Sequence, residues 1–310
     1  MNQSGSSVPS DDSVPAGATA DATWEGLQPK LAARLPYVRW LHERHASEVG
    51  YLTAEVESRT AEMDKKSSEI VHLRNGLPVL TDFMWQPWYP SMFAAREEIA
   101  AEAEESGFPE LYRTEEVLYW LHIPGWISEW AETARPTRIL DIGAGYGTLA
   151  IFCAKLTGAT VACLDIETHR IAESLRDANG LVVHLGSIET DSLDWAGTVD
   201  AVVMTEVLEH FNFHPVPTME KIAAVLVPGG RLFLSTPDSV SWGRVEEGPA
   251  SYQDLPPADP GAPFEDRHIY QFTEEEVRDV LAASGFEVLR LERAPGRWGL
   301  HLNIEAERVS

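Results

Sequence analysis

The sequence has little cysteine, little positive charge and no long apolar run. Of its 310 residues only Cys153 and Cys163 are cysteines. Two cysteines cannot build a disulfide scaffold, and their places on an expected helix face and in an expected strand read as buried, inert thiols. Twenty-four basic residues stand against 49 acidic ones, a formal net charge of −25. A field of that sign repels a phosphate backbone, and no Lys/Arg cluster interrupts it, so nucleic acid is not the expected partner. No apolar run reaches the ~18 residues that a membrane span requires. The N-terminus lacks a basic stretch followed by an apolar one, so no signal peptide is expected. These absences together give the expectation of a cytoplasmic protein with no membrane partner.

What is present divides by composition. Residues 1–22 are Ser, Gly, Pro, Ala and Asp, with almost nothing to bury, and read as a disordered tail. Residues 23–134 read as an N-terminal helical cap. Within it, Val38, Leu41, His45, Val49, Leu52, Val56 and Met63 recur mostly three or four apart, predicting an amphipathic helix over 37–70 or two helices broken near Gly50. A single helix of that length would pair with another, so a homodimer through these helices is one expectation. Ten aromatic residues between Trp85 and Trp130 mark the rest of the cap, with helices expected at 91–105 and 114–132. From residue 135 the pattern alternates. Strands are predicted at 138–142, 160–165, 181–185, 199–205, 230–236, 286–293 and 299–307, and helices at 147–157, 168–178, 215–226 and 273–284. The fold class is therefore α/β: a Rossmann-like, seven-stranded, mostly parallel sheet whose final strand is the antiparallel partner of a hairpin.

The stretch that organises this second region is Arg138-Ile139-Leu140-Asp141-Ile142-Gly143-Ala144-Gly145-Tyr146-Gly147, an apolar run ending in an acid and three glycines spaced by two. Strand, glycine turn and helix in that order place a small-molecule site at a helix N-terminus. A dinucleotide fingerprint needs its third glycine at 148, where Thr148 stands, and a P-loop needs a Gly-Lys-Ser or Gly-Lys-Thr that is missing. A nicotinamide-dependent oxidoreductase is thereby disfavoured as an alternative. Asp165 ends the second strand twenty residues after Gly145, where a carboxylate can accept hydrogen bonds from ribose hydroxyls or cap the next helix.

Further pieces follow at the strand ends: Gly186-Ser187-Ile188-Glu189, Thr205-Glu206-Val207-Leu208-Glu209-His210, and Leu226-Val227-Pro228-Gly229-Gly230-Arg231. With the glycine turn, Asp165 and the tail His268-Ile269-Tyr270-Gln271-Phe272-Thr273, this set resembles the class I S-adenosylmethionine-dependent methyltransferases, in particular the small-molecule group that includes quinone-biosynthesis enzymes. The likeness covers about residues 135–307. It implies S-adenosyl-L-methionine as cofactor and a small-molecule methyl acceptor. By the resemblance Gly143, Ala144, Gly145 and Gly147 line the methionine end, Asp141 supports the loop, and Asp165 holds the ribose. Ile166 packs on the adenine, Ser187 and Ile188 with Glu189 border its polar edge, and Glu206 and Val207 meet the methionine end. Ser187 departs from the Asp that many relatives carry.

A phenolic acceptor needs a base, and His210 is the first candidate, with His268 the second. Glu206, His210 and His214 would share a face if helical, the spacing of some metal sites, but Phe211, Phe213 and Pro215 argue against a regular helix, and no metal is expected. His42 and His45 read as surface or packing residues. Residues 241–267, rich in Pro, Gly and acids, read as a lid-like insertion over the acceptor. The cap and lid together suggest a bulky, partly aromatic acceptor, as in natural-product tailoring. The remaining alternative is a non-catalytic binding protein that keeps the cofactor pocket.

Overall fold

The computed structural model describes Gly50 and residues 84–106, 110–166 and 170–309. The expected tail, the helix over 37–70, His42, His45 and the pairing of N-terminal helices lie outside the described residues. The chain divides into two compact units, Met1–Lys66 and Ser67–Ser310, and the elements that follow belong to the second.

Helix α1 (Tyr89–Ser106) buries Met92, Ala95 and Ile99 at helical spacing, and Trp88 just ahead of it is buried on the same side. The single helix expected at 114–132 is instead two, α2 (Glu110–Tyr119) and α3 (Ile123–Ala134). Pro124 is the physical reason. It lacks an N–H and its ring crowds the carbonyl four residues back, so a helix cannot run through it unbroken, yet it costs nothing within the first turn of a new helix.

The sheet then builds from β1 (Arg138–Ile142), β2 (Thr160–Asp165), β3 (Val182–Leu185), β4 (Val199–Thr205), β5 (Leu226–Pro237), β6 (Phe286–Pro295) and β7 (Leu300–Arg308). Helices α4 (Thr148–Thr157), α5 (Glu173–Asn179), α6 (Pro215–Val225), the short α7 (Ser239–Trp242) and α8 (Glu274–Ala283) connect them. The helix expected from 168 begins later, at Glu173, after an extended Ala172. Strand β5 begins earlier than expected. It runs through Pro228-Gly229-Gly230, with a register irregularity opposite Val199 and Ala201.

Strand order is β3-β2-β1-β4-β5-β7-β6. Strand β7 is antiparallel to both neighbours, so the last strand in the chain lies inside the sheet and β6 takes the edge. Both faces are covered. Leu140, Ile142, Val202, Met204, Leu232 and Leu234 pack under α6 and α8, through Met219, Ile222, Val277 and Val280. Ile139, Val161, Cys163, Val203 and Phe233 pack under α4 with the aromatic helices, through Phe152, Trp88, Trp126 and Ile127. The aromatic residues at 88, 120 and 126 therefore share a core with the sheet. Among the described residues no helix is long and apolar enough to cross a membrane.

Candidate active site

The strand order reverses between β1 and β4, the position at which an open α/β sheet leaves a crevice beyond its strand ends. Ile142, Asp165 and Thr205 reach that edge. A cleft opens there, lined among others by Gly143, Gly145, Asp165, Ile166, Ser187, Ile188, Glu206, Val207 and His210. A smaller cavity adjoins it, lined by Asp141, Gly143, Ala144, Thr205 and Glu206 together with Glu116 and Thr148. Gly143, Thr205 and Glu206 border both.

The glycine turn is shaped by contacts only glycine allows. Gly143 sits at φ +69°, and a Cβ there would lie 2.3 Å from Val207 Cγ2. Gly147, at φ +87°, is the residue from which α4 starts. Between them the Gly145 N–H donates to Asp165 Oδ2 at 2.9 Å, so the turn and the β2 acid are one unit. Asp141 is buried beneath the turn. Burial, and then the charge of Asp165, push its carboxyl up to about 8, while the Ala150 N–H donates to it. Burial also pushes the Cys153 and Cys163 thiols up, Asp141 adding to the effect, as expected of inert cysteines.

On the β3 side, Ile166 is 37% exposed and faces the cleft. The turn carrying Ser187 and Ile188 is pinned from outside. Lys221 Nζ donates to the carbonyls of Ile188 and Asp191, both at 2.7 Å, and to that of Glu189 at 3.2 Å. The Glu189 carboxylate accepts from the backbone N–H groups of Asn212 and Phe213 at 3.0 and 2.9 Å. Its charge thus fastens the loop after β4, and burial raises its pKa.

At the end of β4 the backbone is strained. Glu206 takes φ +55°, a conformation that costs a non-glycine residue about 1–2 kcal/mol and often marks a functional turn. Its Oε1 accepts from the Ser235 hydroxyl at 2.7 Å, and its Oε2 lies 2.9 Å from Nδ1 of His301, which is 1% exposed and stacked on Tyr119. Residues 208–210 form one 3₁₀ turn. The two candidate bases meet beyond it, His210 and His268 lying edge to face with ring centres 4.9 Å apart. Burial lowers the pKa of both.

The face imagined for Glu206, His210 and His214 does not form. His214 is the N-cap of α6, its Nδ1 accepting from the Val216 N–H at 3.4 Å. Glu209, His210 and His268 instead bring one ligand-type atom each within 4.8 Å of one another. Glu209 is fully buried, one oxygen accepting from the Thr236 hydroxyl at 3.0 Å, and burial raises its pKa well above the usual range.

Several lining residues escaped the sequence reading. Thr205 was open to inference from its place at the end of β4. Arg170 and Asp266 line the cleft beside Phe264 of the 241–267 insertion, and Glu116 and Tyr119 line the smaller cavity from segments with no motif, together with Tyr146 of the glycine turn itself. The Thr148 hydroxyl donates to the Glu116 carboxylate at 3.0–3.1 Å. The position that a dinucleotide site keeps as glycine is thus filled by a bonded side chain.

The segment 241–267 has two parts. Tyr252 and Leu255 sit in the core, and the Pro256 carbonyl accepts from the His214 N–H at 2.8 Å. Phe264 and Asp266 reach the cleft.

Residues 116–291 match the model of a family described as a methyltransferase domain. The ubiquinone biosynthesis O-methyltransferase of Xanthomonas axonopodis pv. citri is 38% identical over 103 residues, 32% of this chain and 42% of that protein. That of Vibrio parahaemolyticus is 38% identical over 104 residues, 32% and 43%. The matched segment spans less than half the length of these relatives. A solved structure of Burkholderia thailandensis 1,6-didemethyltoxoflavin-N1-methyltransferase, with 1,6-didemethyltoxoflavin and S-adenosylhomocysteine bound, aligns with a TM-score of 0.47 at 20% identity, covering 72% of this chain and 89% of that one. A putative sarcosine dimethylglycine methyltransferase from Galdieria sulphuraria aligns with a TM-score of 0.45 at 16% identity, covering 60% and 84%. The family match takes in the glycine turn, Asp165, the β4 turn and His268, over more than half of the residues, and the chain belongs to the methyltransferase-domain family.

Proposed function

We propose that the chain transfers a methyl group from S-adenosyl-L-methionine to a hydroxyl of a small, partly aromatic acceptor. The observation that carries this reading is the continuity of the cleft. It runs from Ile166 and Asp165, past the glycine turn, to Glu206 and His210, so a nucleoside-sized ligand and a base candidate share one space.

The residues present fit that cofactor. The Gly143 turn leaves a cradle that a Cβ would fill, Asp165 offers a carboxylate to a ribose, and Ile166 offers an apolar face to a purine. The bound cofactor supplies an electrophilic methyl on a cationic sulfur; the protein's work is placement and proton handling. Glu206 and Glu116 border the smaller cavity and offer carboxylates suited to an ammonium group. His210 takes the proton of the acceptor hydroxyl, and burial keeps its ring neutral and ready to do so. The aromatic edge of Phe264 and the bulk of 241–267 limit water at the mouth.

Calorimetric titration with S-adenosylmethionine, S-adenosylhomocysteine and NAD tests the cofactor, with a catechol assayed afterwards as a simple acceptor. Micromolar binding of the two sulfur ligands without NAD binding is expected. NAD binding, or no binding of either sulfur ligand, would overturn the reading in favour of an oxidoreductase or a binding protein.

A further inference from the structure

His210 has an unmet requirement of its own. Its Nδ1 is buried, and no well-aligned hydrogen-bond partner reaches it among the described residues. The Oδ1 of Asp266 stands 3.3 Å from it, slightly long, as base contacts often are before a ligand tightens them. A buried ring nitrogen left without a partner costs free energy, and this carboxylate is the acceptor at hand.

Asp266 is held in place. Asn212 bonds the neighbouring Glu265 in both directions, accepting from its N–H at 3.0 Å and donating to its carbonyl at 3.2 Å. The same amide donates to the carbonyl of His210 at 2.9 Å. Past Asp266, the Ile269 and Tyr270 N–H groups donate to the carbonyl of Glu209 at 2.7 and 3.2 Å. Both flanks of Asp266 are thus tied to the turn that carries His210. The other charged or titratable groups near the ring are Glu206, Arg170, His268 and the buried Glu209.

We propose that Asp266 is the positioning residue of the site: it accepts the Nδ1–H of His210 and leaves Nε2 as the unprotonated nitrogen that receives the acceptor's proton. Which nitrogen of a neutral imidazole carries hydrogen is set by the bond the other makes. As the acceptor O–H breaks, its electron pair stays on oxygen, its proton passes to Nε2, and the imidazolium formed stands beside the Asp266 carboxylate. The inference rests on reading His210 as the base.

The test uses the full-length, ¹⁵N-labelled protein. Long-range ¹H–¹⁵N imidazole spectra are recorded above the ordinary histidine titration range, with His210 assigned through His210→Gln. Wild type is expected to show the Nδ1–H form, and Asp266→Ala to move His210 toward the Nε2–H form while the other histidines keep their signals. An Nε2–H pattern in wild type, or an unchanged pattern in Asp266→Ala, overturns the proposal. The wild-type spectrum alone decides if the variant does not fold. Catechol turnover by His210→Ala separates the two layers. Retained turnover removes the base reading whatever the tautomer, whereas lost turnover with an unmoved tautomer removes only the role of Asp266.

Discussion

The Asp165 carboxylate holds the backbone N–H of Gly145 at 2.9 Å across twenty residues of chain. Its Oδ2 therefore shapes the glycine turn, and a ribose role would have the same acid serve both before and during binding. Asp165→Ala should weaken S-adenosylmethionine by about 10–100-fold, the worth of one or two hydrogen bonds to a charged group. Thermal melting should change little, because the cost falls on the turn and not on the core. Calorimetry on the purified variant checks this, and equal affinity would remove the ribose role.

Gly143→Ala is expected to do more damage than an added methyl suggests. The residue sits at φ +69°, and the new Cβ would meet Val207 Cγ2 at 2.3 Å. Backbone strain alone costs about 1–2 kcal/mol, and relieving the clash must shift Val207 at the mouth of the cleft. Pairing the change with Val207→Ala should restore part of the cofactor affinity, the steric part, and leave the φ penalty. No recovery in the double variant would show that the clash does not matter.

The sheet and the glycine-turn side of the cleft were legible because they rest on local rules. An apolar run, an acid and glycines at fixed spacing give strand, turn and helix wherever they occur, and Asp165 follows from its place at a strand end. At the acceptor end the sequence offered only the two histidines and the 241–267 insertion as a whole. Asp266 and Phe264 arrive from a Pro- and Gly-rich segment, and Glu116 from a helix ahead of the sheet, so only the folded chain brings them to the cleft. For His214 the sequence already carried the reason to discount the spacing. Four residues separate it from His210, but Pro215 starts a helix there and turns the ring to capping. Pro124 was a visible signal for the break between α2 and α3 that the apolar periodicity overrode.

Activity should persist to lower pH than an ordinary histidine base allows. Burial lowers the pKa of His210, with Asp266 and Glu206 opposing but not reversing it. The neutral, proton-accepting form therefore survives below the usual value of about 6.5, and the acid limb of the kcat/KM profile should fall below that value. The linkage has the same sign. His210 and His268 bind fewer protons folded than unfolded as pH drops from the ordinary value toward the lowered one, so stability is lost across that window. A rate profile whose acid limb lies above the ordinary histidine value would exclude His210 as the base.

The insertion after β5 should tolerate shortening only at its tip. Removing 245–262 takes Tyr252 and Leu255 out of the core, and a buried aromatic lost to a cavity costs about 3–5 kcal/mol. Replacing 257–263 with a short Gly-Ser link spares those residues as well as Phe264 and Asp266. The short replacement should leave melting nearly unchanged and raise the acceptor KM more than the cofactor Kd. Unchanged kinetics in that variant would mean the tip is no part of a lid.

Arg297, in the β6–β7 turn, donates to Glu115 on α2 at 3.1 Å, with both side chains less than a tenth exposed. The pair joins the hairpin to a helix that precedes the sheet, close to the stacked Tyr119 and His301, and Tyr119 also donates to Glu115 at 2.6 Å. Arg297→Ala leaves Glu115 buried with the Tyr119 phenol as its remaining partner among the described residues. Breaking a buried pair from one side costs about 3–5 kcal/mol. The variant should lose that much in denaturant unfolding, and Glu115→Gln added to it should recover part of the loss by removing the stranded charge. His301 faces Glu206 from the same hairpin, so the single variant should also weaken cofactor binding. An Arg297→Ala protein as stable as wild type would show that the α2–hairpin contact is held by packing and not by this pair.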